Sequence, residues 1–211
     1  MVQGRLRGPM IAIARRDAVS LGALAVATAT AWLGLTRTGH AMELVPYLGA
    51  WTLMMAGMML PSIAPLVLLH RGNRMAIAAG YLAVWAATGV LPWVAMMRSF
   101  HPSPALVLAL AGIYELTPLK QACLRGCRNP ATFLMERYRS GPLRLGIEHG
   151  LWCLGCCVGL MVVLVLAASM SLIWAAGLAF VVFVQKALPW PEASARATGV
   201  LLLTIALVRV L

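Results

Sequence analysis

Five cysteines stand within one stretch of 35 residues, and the rest of the chain has none. Cys123 and Cys127 form a C-x3-C pair in Leu119-Lys-Gln-Ala-Cys-Leu-Arg-Gly-Cys-Arg128, and Cys153, Cys156 and Cys157 form C-x2-C-C just after His149. Thiolates suit Cu(I), Zn(II) and iron–sulfur clusters, and neighbouring thiols can also exchange disulfides. Residues four apart on a helix share a face. His149, Cys153, Cys156 and Cys157 therefore form one thiol/imidazole stripe. Cys123 and Cys127 share a face if the turn after Pro118, a residue that fits a first helical turn, is helical. Six ligands are thus expected to converge: Cys123, Cys127, His149, Cys153, Cys156 and Cys157. A four-ligand site would draw on Cys123, Cys127, Cys153 and either Cys156 or Cys157, whose side chains point about 100° apart, with His149 as the alternate. The cations Lys120, Arg125, Arg128 and Arg144 are expected to lower the thiol pKa values.

Two further groups could do chemistry. Met54, Met55, Met58 and Met59 occupy adjacent turns of one apolar segment, followed by Pro61 and Pro65. Thioethers are soft ligands for Cu(I), so these four form a candidate second metal station, although methionine also fills irregular gaps beside a kink. Glu115 lies in another apolar segment, where a carboxylate is costly and marks function or a buried pair. Lys120 or Arg125 is its expected partner. Glu148 is either a support for His149 or an interfacial charge.

The elements that must position these residues are apolar helices. The chain is 62% hydrophobic and 11% charged, whereas a soluble domain carries about 25% charged residues. No strand periodicity, repeat or low-complexity tract appears, and the predicted fold is an all-α polytopic helix bundle forming one integral membrane domain over residues 1–211. Seven apolar segments run over 18–35, 48–69, 75–97, 104–119, 146–168, 172–188 and 198–211. The first is long for a cleaved signal and is expected to be a retained span. The last, at 14 residues, is the weakest, leaving six spans if it lies at the interface, since crossing takes about 20 residues. Arg5, Arg7, Arg15, Arg16, Arg71, Arg74, Lys120, Arg125, Arg128, Arg137, Arg139, Arg144, Lys186 and Arg196 fall on one side of this arrangement, against Arg37 and Arg98 on the other. By the positive-inside bias the N-terminus is cytoplasmic, in a bacterial inner membrane. The basic connection 120–147 is then a cytoplasmic loop, and Lys186 and Arg196 are topology anchors. The net charge of +11 serves topology rather than nucleic acid, since no basic stripe with interleaved aromatics appears.

The strings Met58-Met-Leu-Pro-Ser62, Tyr114-Glu-Leu-Thr-Pro-Leu-Lys-Gln-Ala-Cys-Leu-Arg-Gly-Cys-Arg-Asn-Pro130 and Gly150-Leu-Trp-Cys-Leu-Gly-Cys-Cys157 resemble the bacterial family catalogued as domain of unknown function 2182. The resemblance covers roughly residues 50–189 and departs from the family pattern at Gly126, where a bulkier or polar residue is expected. It implies a metal-binding integral membrane protein with its site at Cys123, Cys127, Cys153, Cys156 and Cys157, and implies no reaction.

The function expected from these readings is Cu(I) handling by sequestration, delivery or transport, with zinc as the alternative ion. The expected partners are the lipid bilayer and a metallochaperone or membrane complex. No P-loop, Ser-His-Asp set or H-E-x-x-H motif is present, so hydrolytic chemistry is not expected and the reading leans away from an enzyme without deciding it. A membrane thiol–disulfide oxidoreductase and a structural subunit of a membrane complex are the alternatives.

Overall fold

The structure, a computed structural model, describes residues 3–35, 43–137, 141–167, 171–187 and 190–210, with side chains described from residue 17 onward. Arg37 and Arg139, and the side chains of Arg5, Arg7, Arg15 and Arg16, lie outside the described residues. The described chain is helical: α1 (Gln3–Leu35), α2 (Leu44–Leu69), α3 (Arg74–Thr88), α4 (Val90–Met97), α5 (Pro104–Leu116), α6 (Pro118–Arg128), α7 (Pro130–Glu136), α8 (Pro142–Val162, continued by a π-helical turn Val163–Ala167), α9 (Leu172–Ala187) and α10 (Pro191–Val210).

Proline punctuates this architecture. Pro104, Pro118, Pro130, Pro142 and Pro191 each open a helix, where the missing N–H costs nothing and φ is already helical. Ser103 caps α5 by accepting from the Leu106 N–H at 3.2 Å, and Thr117 caps α6 by accepting from Lys120 N–H at 3.3 Å. These starts move three expected boundaries. The segment expected over 198–211 begins at Pro191 and becomes a 20-residue helix. The connection 120–147, expected as a loop, is largely helical through α6, α7 and the first turns of α8. Arg196, expected in a connection, lies within α10, while Lys186 falls near the end of α9, inside the segment expected over 172–188. Among the described residues five helical stretches are long and apolar enough to cross a membrane: Asp17–Leu35, Leu44–Leu69, Arg74–Met97, Pro142–Ala167 and Pro191–Val208, with α5 and α9 apolar but shorter.

Inside α2, Pro61 removes the N–H that would bond the Gly57 carbonyl. The freed carbonyl is satisfied from outside: the Trp32 indole of α1 donates to it at 3.2 Å. Two glycine crossings set the closest approaches. A Cβ on Gly146 of α8 would come within 2.1 Å of the Ile77 carbonyl oxygen, and one on Gly80 of α3 within 2.2 Å of the Leu143 carbonyl oxygen. Gly112 of α5 and Gly199 of α10 meet similarly, each 2.9–3.0 Å from the other's carbonyl oxygen by the same construction. Small residues let helix backbones approach this closely, and the α3–α8 crossing aligns Tyr81 with the cysteine-bearing face of α8. Gly146→Ala is accordingly expected to destabilise the protein by about 1–3 kcal/mol, the usual cost of overpacking. Gly49→Ala and Gly177→Ala, where an added Cβ meets nothing within 4 Å, are expected to be neutral. Thermal unfolding midpoints in detergent check the contrast.

Candidate metal centre

Three thiols from two helices meet in the core. Cys127 of α6 and Cys153 and Cys156 of α8 place their sulfurs all within 4.8 Å of one another, and all three residues are buried. Cys153 and Cys156 are one helical turn apart, so α8 presents both. Cys127 arrives because α6 folds back along α8. That contact depends on small residues: a Cβ on Gly126 would sit 2.9 Å from the Trp152 ring, which explains glycine where a larger residue was expected. Cys157 lies alongside, its sulfur 3.4 Å from that of Cys156, and is equally buried.

The other two expected ligands lie apart from this trio. Cys123 is half-exposed and its sulfur occupies the space beside Gly155, 2.6 Å from where a Cβ would stand. His149 is buried between Tyr81 and Phe133, with ring centroids at 6.0 and 5.2 Å, and its Nδ1 has no hydrogen-bond partner. Because α8 starts at Pro142 rather than Gly146, Cys153 lies eleven residues into the helix, roughly 16 Å along its axis.

The charges near the site are also rearranged. Arg125 pairs with Glu192 at 2.8 Å and Arg144 with Glu148 at 2.8 Å. Glu148 also takes Arg137 at 2.7 Å and so supports the surface rather than His149. Glu115 and Lys120, both fully buried, pair at 2.7 Å, which settles the choice between Lys120 and Arg125. Lys120 also donates to the Cys156 carbonyl and, at 2.9 Å, to Gln185, whose amide returns to Glu115 at 3.0 Å and reaches Thr198 at 3.2 Å. Lys120, Arg125 and Arg144 are thus paired with carboxylates, while Arg128 donates to the Gln185 carbonyl at 3.5 Å, and the thiols of α6 are not lowered overall. Burial pushes Cys123 up, with Lys120 opposing it, and hydrogen bonding to Cys153 pushes Cys127 well above its usual value.

Among the described residues, the cation that bonds a thiol is Lys186. Its ammonium donates to Cys153 Sγ at 2.9 Å and to Ser62 Oγ at 3.1 Å. Tyr81 Oη stands 2.9 Å from the same sulfur and 3.2 Å from Ser62 Oγ. Sequence reasoning passed over Lys186, Tyr81 and Ser62 because each comes from a different helix far from the cysteines. The available signal was a Gln-Lys pair closing an apolar segment. Met54, Met55, Met58 and Met59 are all buried in the core. The Met59 carbonyl accepts from Ser62 Oγ at 2.7 Å and from Tyr81 Oη at 3.4 Å, so their turn of α2 borders the Cys153 surroundings.

Chemically, three buried sulfurs make a soft, desolvated donor set that suits a thiophilic metal ion. No curated protein and no solved structure matches the chain. A family match is present over residues 48–209; its description supports the metal reading drawn from the motifs without bearing on the domain-of-unknown-function name. That stretch takes in every cysteine, the methionine turns and Lys186, and it places the chain in the family described as copper chaperone (PpoB2).

Proposed function

We propose that this protein is a multi-pass protein of the bacterial cytoplasmic membrane that takes up Cu(I) at Cys127, Cys153 and Cys156 and passes it to a protein partner. The observation that carries the reading is the trio of buried thiols with mutual sulfur distances within 4.8 Å, in a chain that belongs to a copper chaperone family. Membrane placement is supported by the five long apolar helices and by side chains such as Ile173 and Val45, which are 84% and 78% exposed and would otherwise face water. The charge bias favours a cytoplasmic N-terminus, with about seven spans if the shorter α5 and α9 also cross.

Cu(I) is preferred over zinc because a structural zinc site is closed by four ligands, whereas the mutually close group here comprises three. Cys157, with its sulfur 3.4 Å from that of Cys156, is the reserve ligand, and Cys123 and His149 are proposed as residues a passing ion meets. Met54, Met55, Met58 and Met59 are proposed as a second soft station on the same route. A thiol–disulfide role has less support, since an incoming sulfur must reach Cys153 or Cys156 and both are no more than 1% exposed.

The test is elemental analysis of full-length protein purified anaerobically in detergent after copper-replete expression. About one copper per chain, removed by a Cu(I) chelator and restored by Cu(I), is expected. Protein that neither retains nor takes up copper would sink the reading.

A further inference from the structure

The geometry points to Lys186 as the residue that sets the charge of the ion this thiol site accepts, favouring a monovalent soft ion over a divalent one. The assignment rests on the proposed Cu(I) site. Lys186 belongs to a closed ring of four groups from four helices. Its ammonium bonds Cys153 Sγ of α8 at 2.9 Å and Ser62 Oγ of α2 at 3.1 Å. Tyr81 Oη of α3 closes the ring at 3.2 Å from Ser62 and 2.9 Å from the sulfur. The lysine is thus held against the sulfur by two fixed partners rather than swinging free in solvent. Among the described residues no carboxylate bonds its ammonium. The nearby buried carboxylate, Glu115, is already taken by Lys120 and Gln185.

The consequence follows from charge alone. An ion that bonds Cys153 lies one bond beyond a sulfur that already carries a cation on its other side. Repulsion between that ion and the ammonium scales with the ion's charge. It is therefore twice as large for Zn(II) as for Cu(I) or Ag(I) at the same place. The ammonium's support for negative charge on the sulfur is common to all of these ions and cancels from the ratio of their affinities. What remains is a bias toward the monovalent ion, strengthened because the site is largely removed from water. Lys186 acts here as a specificity-determining residue, not as a ligand, since an ammonium has no lone pair to offer.

The experiment compares Cu(I) and Zn(II) dissociation constants of full-length protein in detergent, by competition with chromogenic chelators, for wild type, Lys186→Met and Lys186→Arg. The Cu(I)-over-Zn(II) affinity ratio is expected to fall about tenfold or more in Lys186→Met and to stay near the wild-type value in Lys186→Arg, which keeps the charge. Lys186→Gln takes the place of Lys186→Met if the latter does not yield folded protein. A ratio unchanged by removing the charge overturns the assignment, as does a ratio that Lys186→Arg lowers as much as Lys186→Met, because shape rather than charge would then be responsible. Wild-type protein that binds Zn(II) but no Cu(I), or neither ion, defeats the Cu(I) reading itself; Cu(I) binding with an unaltered ratio defeats the Lys186 assignment alone.

Discussion

Cys153→Ser is expected to weaken Cu(I) binding by more than about a hundredfold, while Cys123→Ser changes it by no more than about threefold. The difference comes from position, since the two substitutions remove the same atom. Cys153 is fully buried, lies within the trio, and is the sulfur on which Lys186 and Tyr81 converge. Replacing it substitutes a hard oxygen for a soft donor and leaves an ammonium facing the remaining thiols. Loss of a supporting contact around a metal already costs about 10–100-fold in affinity, and loss of a ligand exceeds that. Cys123 is half-exposed and sits by Gly155, away from the mutually close sulfurs. Substitutions away from packed or paired groups usually cost within about 0.5 kcal/mol. Anaerobic titration against a Cu(I) chelator measures both. Equal losses in the two variants would show that the equilibrium site includes Cys123 and that the trio is not the ligand set.

Lys120→Met is expected to be the most destabilising single polar substitution in the bundle, at about 3–5 kcal/mol. Its partner Glu115 is fully buried and would keep only the Gln185 amide as a donor at 3.0 Å. The cost arises from the stranded charge, not from the worth of the pair. Removing both charges with Glu115→Gln/Lys120→Met is therefore expected to recover more than half of the loss. The measurement is the midpoint of thermal or denaturant unfolding in one detergent for the three proteins. A double variant no more stable than Lys120→Met would refute the explanation. Because Lys120 also holds the Cys156 carbonyl, Lys120→Met should weaken Cu(I) binding as well, through the position of Cys156.

The helical class and most segment positions were legible because apolar runs bounded by charge and proline need no tertiary information. The C-x3-C and C-x2-C-C groups pointed to a meeting of their two segments, and Cys127, Cys153 and Cys156 do come together, whereas Cys123 does not join them. What the sequence hid was pairing across distance. Lys186 reads as an anchor at the end of an apolar segment, and only packing of α9 beside α2 and α8 turns it toward Cys153. His149 has the right spacing on α8 to join the cysteines, yet Phe133 of α7 covers its ring. The helical start at Pro142 was missed because Leu143–Glu148 mixes charged with apolar residues, so hydropathy alone places the boundary later.

The trio is built unequally, and this bears on how cargo could leave. Cys153 and Cys156 hang from one helical turn, so the bite between them is set by helical spacing and the side-chain rotamers of one element. Cys127 is delivered by α6, an amphipathic helix of 11 residues seated on α8 at Gly126 and Gly155. Lifting α6 by an ångström or two would take Cys127 away from the trio and loosen the Lys120 bond to the Cys156 carbonyl. On the proposed Cu(I) reading, the affinity of the site would be a property of how firmly one short helix is seated, and a partner that engages α6 would hold the latch.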